Sequence, residues 1–222
     1  MAKDAPSAEC PKGAFVLTKI ILRRFSEMEN TVKPRPLSRV RAMVECAMLI
    51  AAFMVLSRIT FIRMPQGGSL TPVAGLPLLL IGYRRGLKWA CISAVAATFL
   101  EMLLDGFYAP PAGTLWAFVL CLLLDYFLAQ LSVVSAAGIN RLIGQRSLVA
   151  VGISVLISQL LHFLCVFLSG FLLWGSYAPE GMGPVRYSFS YNASYCIPQS
   201  VLTMVVAAAL FRAAPRLFAR QP

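Results

Sequence analysis

Histidine occurs once in these 222 residues, at His162, and only nine acidic side chains stand against twenty Lys and Arg. A single imidazole excludes a histidine-rich metal site, and no other metal-ligand spacing takes its place. The six cysteines (Cys10, Cys46, Cys91, Cys121, Cys165, Cys196) are scattered singly with no CxxC spacing, as small buried hydrophobes would be. No G-x-x-x-x-G-K-S/T phosphate loop is present, which excludes ATP hydrolysis by that route. Ser169-Gly170 lacks the preceding glycine of a G-x-S-x-G elbow, and the lone His162 sits on the same apolar run. That arrangement argues against an intramembrane serine hydrolase, and the chain reads as a non-enzyme. No apolar stretch near the start precedes a small-residue cleavage site, so no cleaved signal peptide is expected. The two halves show no matching broken helices, which counts against an inverted-repeat carrier.

Apolar sequence is what the chain has in abundance: 59% of residues are hydrophobic and 13% charged. Such a composition belongs to an integral membrane protein. Each span needs about 20 apolar residues to cross ~30 Å of hydrocarbon. Candidate spans fall near Val40–Ile59, Leu70–Tyr83, Gly86–Leu104, Thr114–Ala137, Leu148–Trp174 and Ser194–Ala213. The second is short and carries Pro72 and Pro77, so it is expected to be kinked, tilted or only partly spanning. The fold class is therefore all-α, a bundle of six transmembrane helices.

Basic residues crowd the tail up to Arg41, the loop Arg84–Lys88, the loop with Arg141 and Arg146, and the C-terminal Arg212, Arg216 and Arg220. Only Arg58, Arg63 and Arg186 fall in the intervening loops. The positive-inside rule then places both termini on the cytoplasmic side of a plasma membrane. Residues 1–38 read as a cytoplasmic tail with a basic amphipathic helix at Phe15–Phe25, 39–214 as the membrane domain and 215–222 as a short basic tail.

Ionisable residues inside spans are functional candidates by default. Glu45 either snorkels or pairs with Arg41, one turn earlier. Glu101 and Asp105 share a face and either cap a helix end or rim a pocket. Asp125 lies mid-span, where a lone carboxylate costs several kcal/mol unless a structural partner or a cationic ligand meets it. For His162 a helix-to-helix hydrogen bond competes with a ligand contact. Ala47-x-x-x-Ala51 puts two small residues on one face of the first span, a spacing that admits a close helix. On the outer side, Trp174 through Asn192 is dense in aromatic and hydrogen-bonding groups without a nucleophile–base pair. That composition suits binding a flat small molecule rather than transforming one. The Gly pair of Pro65-Gln-Gly-Gly-Ser-Leu-Thr-Pro72 permits close backbone approach, or simply a flexible turn.

Several segments carry a resemblance. Gly67-Gly-Ser-Leu70, Leu76-Pro-Leu-Leu-Leu80, Arg84-Arg-Gly86, Leu124-Asp-Tyr126 and Leu168-Ser-Gly-Phe-Leu-Leu-Trp174, through Tyr177–Met182 and Tyr187-Ser to Tyr191-Asn-Ala-Ser194, resemble the thiamine-binding substrate-specific (S) components of energy-coupling factor vitamin transporters. The match runs from about Arg41 to Ala208. It implies six helices around an outward-side pocket, with thiamine as transported ligand and no cofactor. Trp174 would stack on the ligand, and Tyr187 and Asn192 would contact its aminopyrimidine. Asp125 would supply the family's carboxylate, followed by Tyr126. Gly68, Ser69 and His162 complete the implied site, and Ala47 and Ala51 would meet a transmembrane coupling subunit driven by two cytoplasmic ATPases. The sequence departs from the family at Val166, where many members have histidine, and around Tyr108 and Trp116, which align poorly. A thiamine precursor or analogue, another vitamin, or a stand-alone secondary carrier are the alternatives.

Overall fold

The computed structural model describes residues 36–65, 67–71, 73–144 and 147–220. The chain divides into two units, Met1–Arg39 with Pro222 and Val40–Gln221. Of the first, only the residues that begin the opening helix are described. The basic helix expected at Phe15–Phe25 lies outside the described residues, as do Pro72 and Arg146.

Helices dominate. They are α1 (Pro36–Arg58), α2 (Leu76–Arg85), α3 (Leu87–Asp105), α4 (Leu115–Ile143), α5 (Leu148–Leu173) and α6 (Pro184–Ala213). Five of them, all but α2, are long and apolar enough to cross a membrane. Their outer faces expose large apolar side chains such as Met48, Leu103, Trp116, Val149 and Val205, the surface lipid requires.

The second expected span takes a different form. Two short strands, β1 (Ile62–Arg63) and β2 (Ser69–Leu70), pair antiparallel, with Ile62 opposite Leu70, around the Gly67-Gly68 turn. The chain then reaches α2, whose ten residues rise only about 15 Å. Leu76 through Tyr83 are all buried, so this helix is enclosed by protein instead of facing lipid. Its all-round apolar sequence reflects burial among the other helices. Gly82 lets α2 touch α4, since a Cβ there would meet Ala137 Cβ at 2.7 Å. On α3, Ala90, Ala94 and Ala97 form a small-residue stripe packed with Cys46 and Phe53 of α1 and Leu78 and Ile81 of α2. Val73, just before α2, holds φ +59°, a strained conformation for a β-branched residue.

Two further differences shape the site. Helix α6 begins at Pro184, so the second half of the expected Trp174–Asn192 loop is helical. Pro184 occupies the first turn, where its missing N–H costs nothing, and no breaker follows until Pro198. Helix α4 contains a π-helical turn over Leu122–Leu128, with Asp125 inside it. Glu45 pairs with Arg84 and Arg85 rather than with Arg41, joining α1 to the end of α2. The five cysteines among the described residues are free thiols.

Candidate functional site

A cavity of about 320 Å³ opens among the ends of α1 and α3, the β1–β2 turn, the middle of α4, and α5 and α6. Its size suits a small organic ligand. Gly68, Ser69, Asp125, Tyr126, His162, Trp174, Tyr187 and Asn192, the residues singled out from sequence, all line it. Four stretches far apart in the chain are thus brought to one place.

Asp125 sits at the wall of the cavity because the π turn opens α4 there. Its Oδ2 accepts from Ser169 Oγ at 2.6 Å, from Trp174 Nε1 at 3.4 Å and from Cys121 Sγ at 3.5 Å. Oδ1 has no donor among the described residues. A carboxylate fixed by one oxygen and open at the other is placed to accept an N–H or to face a positive charge. The same bond orients Trp174, whose indole stacks on Tyr177 with centroids 6.1 Å apart and planes at 24°.

The opposite walls are aromatic. Tyr126 stacks on Phe107 at 5.2 Å, and its hydroxyl accepts from the Tyr108 N–H at 3.0 Å. Tyr187 and Tyr191 lie 5.6 Å apart, and the Tyr191 hydroxyl donates to Gly67 O at 2.9 Å, holding the β1–β2 turn against α6. Gly68 is required there twice over. Its φ is +79°, and a Cβ would stand 2.9 Å from Tyr195 Cζ.

Asn192 is buried and spends its polar atoms on the protein. Its Nδ2 donates to Ser188 O at 2.9 Å and Val166 O at 3.3 Å, while Oδ1 accepts from the Tyr195 hydroxyl at 2.7 Å. One lone pair of Oδ1 is left for a ligand, so in this state Asn192 chiefly locks α6 to α5. His162 makes the helix-to-helix bond, with Nδ1 3.0 Å from Ala129 O. A carbonyl only accepts, so Nδ1 carries the proton and Nε2 remains an acceptor. Val166, at the departure from the family pattern, is buried with Phe163, Tyr191 and Tyr195 around it. Ala47 and Ala51 are exposed on the outer face of α1.

Sequence reasoning missed part of the lining. Gln130 Nε2 donates to Glu101 Oε2 at 2.9 Å, and Asp105 pairs with Arg58 across the ends of α3 and α1. Glu101 and Asp105 both line the cavity, which decides between the two readings of that pair. Tyr108, to which no role was carried, lines it as well. At the inner end lie Gln159, only 6% exposed, and Gln199, whose Oε1 accepts from the Thr71 N–H at 3.4 Å. The Gln159 amide and Gln199 Nε2 have no hydrogen-bond partner among the described residues. A signal existed, because Gln159, His162, Val166, Gly170 and Trp174 recur at helical spacing along one face of α5. Among the described residues no Lys or Arg lines the cavity, whereas Glu101, Asp105 and Asp125 do.

An apolar helical bundle enclosing an aromatic, carboxylate-bearing cavity defines a membrane protein that binds a small molecule within its helices. The chain belongs to the family described as Thiamine transporter protein (Thia_YuaJ), whose family model matches residues 43–219. It is 33% identical over 186 residues to the thiamine transporter ThiT of Bacillus subtilis (strain 168), covering 79% of this chain and 92% of that relative. It is 26% identical over 147 residues to the ThiT of Lacticaseibacillus paracasei, covering 64% and 73% respectively. In fold it is similar to the solved structure of ThiT from Listeria monocytogenes, with a TM-score of 0.64 at 22% identity over 82% of this chain and 98% of that one. The family read from the scattered motifs is thus the right one, and the chain is a multi-pass membrane protein with bacterial relatives.

Proposed function

We propose that this chain is the substrate-binding S component of an energy-coupling factor importer, and that it captures thiamine from outside the cell. The observation that carries this reading is the lining of the cavity: three carboxylates, of which Asp105 is paired with Arg58, a ring of aromatic faces, and no Lys or Arg among the described lining residues. Thiamine joins a flat aminopyrimidine to a permanently cationic thiazolium. Aromatic faces attract that cation by about 0.5–2 kcal/mol each. Asp125 Oδ1 accepts the amino group or faces the thiazolium, Trp174 stacks on a ring, and Tyr126 and Tyr187 close the sides. His162 Nε2 offers an acceptor one turn from Val166, in place of the histidine many relatives carry there. Both termini lie in the cytoplasm, with α2 as the sixth helix of the bundle. Ala47 and Ala51 on α1 form the contact with a transmembrane coupling subunit, and two cytoplasmic ATPases supply the energy.

The test is a fluorescence titration of the purified protein with thiamine. Stacking at Trp174 gives strong quenching that saturates at one ligand per chain. A flat signal at micromolar thiamine from folded protein overturns the ligand assignment. Reconstitution into liposomes without ATPase subunits gives no accumulation, whereas a stand-alone carrier would transport.

The inner end of the cavity gives a second expectation. With Gln159 and Gln199 facing it, the hydroxyethyl group of thiamine has neutral partners there. Gln159→Leu removes about one neutral hydrogen bond, worth ~0.5–1.5 kcal/mol, and so weakens thiamine binding roughly threefold to tenfold. An analogue lacking the hydroxyl binds wild type and Gln159→Leu equally. A wild-type preference for the analogue would show that the hydroxyl lies elsewhere.

A further inference from the structure

Among the described residues most cations gather at one end of the bundle and most carboxylates at the other, where Arg58, Arg63 and Arg186 are the cations. Of the carboxylates among the described residues, Glu101, Asp105 and Asp125 line the large cavity and Glu180 lies in the loop beyond α5. The other end presents Arg84, Arg85, Arg141, Arg212, Arg216 and Arg220 around one carboxylate, Glu45, which Arg84 and Arg85 already hold.

A second cavity, of about 270 Å³, opens at that arginine-rich end, between the end of α4, the start of α5 and the turn after α6. Asn140, Val151, Phe211, Arg216 and Phe218 are among its walls. Asn140 is 9% exposed, yet its Oδ1 has no hydrogen-bond partner among the described residues. Next to it in sequence, Nη2 of Arg141 is also buried without an acceptor among the described residues. The Arg141 guanidinium lies over the α2–α3 turn, 3.1 Å from where a Cβ on Gly86 would sit. A buried guanidinium N–H without an acceptor forfeits a strong hydrogen bond. An anion at Arg216, whose side chain lines the cavity, meets the positive charge of this end. A phosphate presents acceptor oxygens to guanidinium groups but no donor to Asn140 Oδ1, whereas a hydroxyl on the same headgroup does. Leu142 and Val149, both more than 60% exposed, flank this end and offer a track for acyl chains.

We propose that this cavity binds the headgroup of an anionic glycerophospholipid of the phosphatidylglycerol type. Arg216, on the cavity wall, holds the phosphate, and a glycerol hydroxyl donates to Asn140 Oδ1. Under the orientation proposed above the site faces the cytoplasmic leaflet, where anionic lipid meets basic helix ends. The headgroup contacts themselves do not depend on the ligand of the large cavity.

Native mass spectrometry of the full chain in detergent, with phosphatidylglycerol or phosphatidylcholine added, tests this. Wild type retains phosphatidylglycerol with at least about tenfold preference, as one charge-assisted contact suffices to give. Arg216→Gln, at an exposed side chain, and Asn140→Asp, which sets a carboxylate against the phosphate, each reduce that retention about tenfold. Thiamine titration of both variants, or a melting curve if thiamine is not the ligand, reports whether they are folded. Equal retention of the two lipids, or unchanged retention in Arg216→Gln, overturns the proposal. So does inorganic phosphate that raises the melting temperature as much as the lipid does at equal concentration, since the site would then take a soluble anion.

Discussion

Asp125→Asn weakens thiamine binding by roughly tenfold to a hundredfold, with the protein still folded. Asparagine keeps the volume of the side chain and an oxygen to accept from Ser169 and Trp174, whose donors converge on Oδ2. What the substitution removes is the charge at the oxygen left open to the cavity. A hydrogen bond to a charged group contributes about 1.5–3 kcal/mol, and each 1.4 kcal/mol is tenfold in Kd. Isothermal titration of the purified variant measures the loss directly. Asp125→Ala is the poorer test, because it leaves the fully buried Ser169 hydroxyl without an acceptor and confounds affinity with stability. Unchanged affinity in Asp125→Asn would move the ligand away from the π turn of α4.

Gly170→Ala has its largest effect on stability. A Cβ at this position would stand 2.4 Å from Ser188 Oγ and 2.8 Å from Asn192 Nδ2, where α5 packs against α6 at the cavity wall. Neither neighbour is free to move, since Ser188 Oγ donates to Phe167 O at 2.7 Å and Asn192 is held by Ser188, Val166 and Tyr195. Overpacking of this kind costs about 1–3 kcal/mol, a fall in melting temperature of several degrees in a chain of this length. Gly170→Ala combined with Ser188→Gly recovers part of the loss, because the nearest atoms are then gone. Ligand present at saturation recovers a further part, since it binds only the folded state. A melting temperature within one degree of wild type would mean that the helices separate easily at this point.

Much of the site was legible in the sequence because membrane sequences make polar residues conspicuous. Asp125 and His162 stood alone in apolar runs, and Trp174, Tyr187 and Asn192 stood in a segment too polar to be span. The inner amides were harder to see. Gln159 and Gln199 carry no charge, and glutamine in a span reads equally well as a partner for another helix. Asn192 shows the converse limit. Its place was readable, but its commitment to Ser188, Val166 and Tyr195 comes from the packing of α5 against α6.

By itself the sequence determined that this is an apolar helical bundle in a membrane, that its basic residues gather at one end, and that it belongs with thiamine transporters. Those properties follow from composition, run length and local motif, which need no knowledge of what touches what. Only the tertiary structure decided that α2 is a ten-residue helix enclosed by its neighbours, that the expected recognition loop is half helix, and that a π turn carries Asp125. A run apolar on all sides looks the same whether lipid or protein surrounds it. Likewise, the pairing of Glu45 with Arg84 and Arg85 instead of Arg41 depends on which helices meet, and helical spacing along one segment carries no such information.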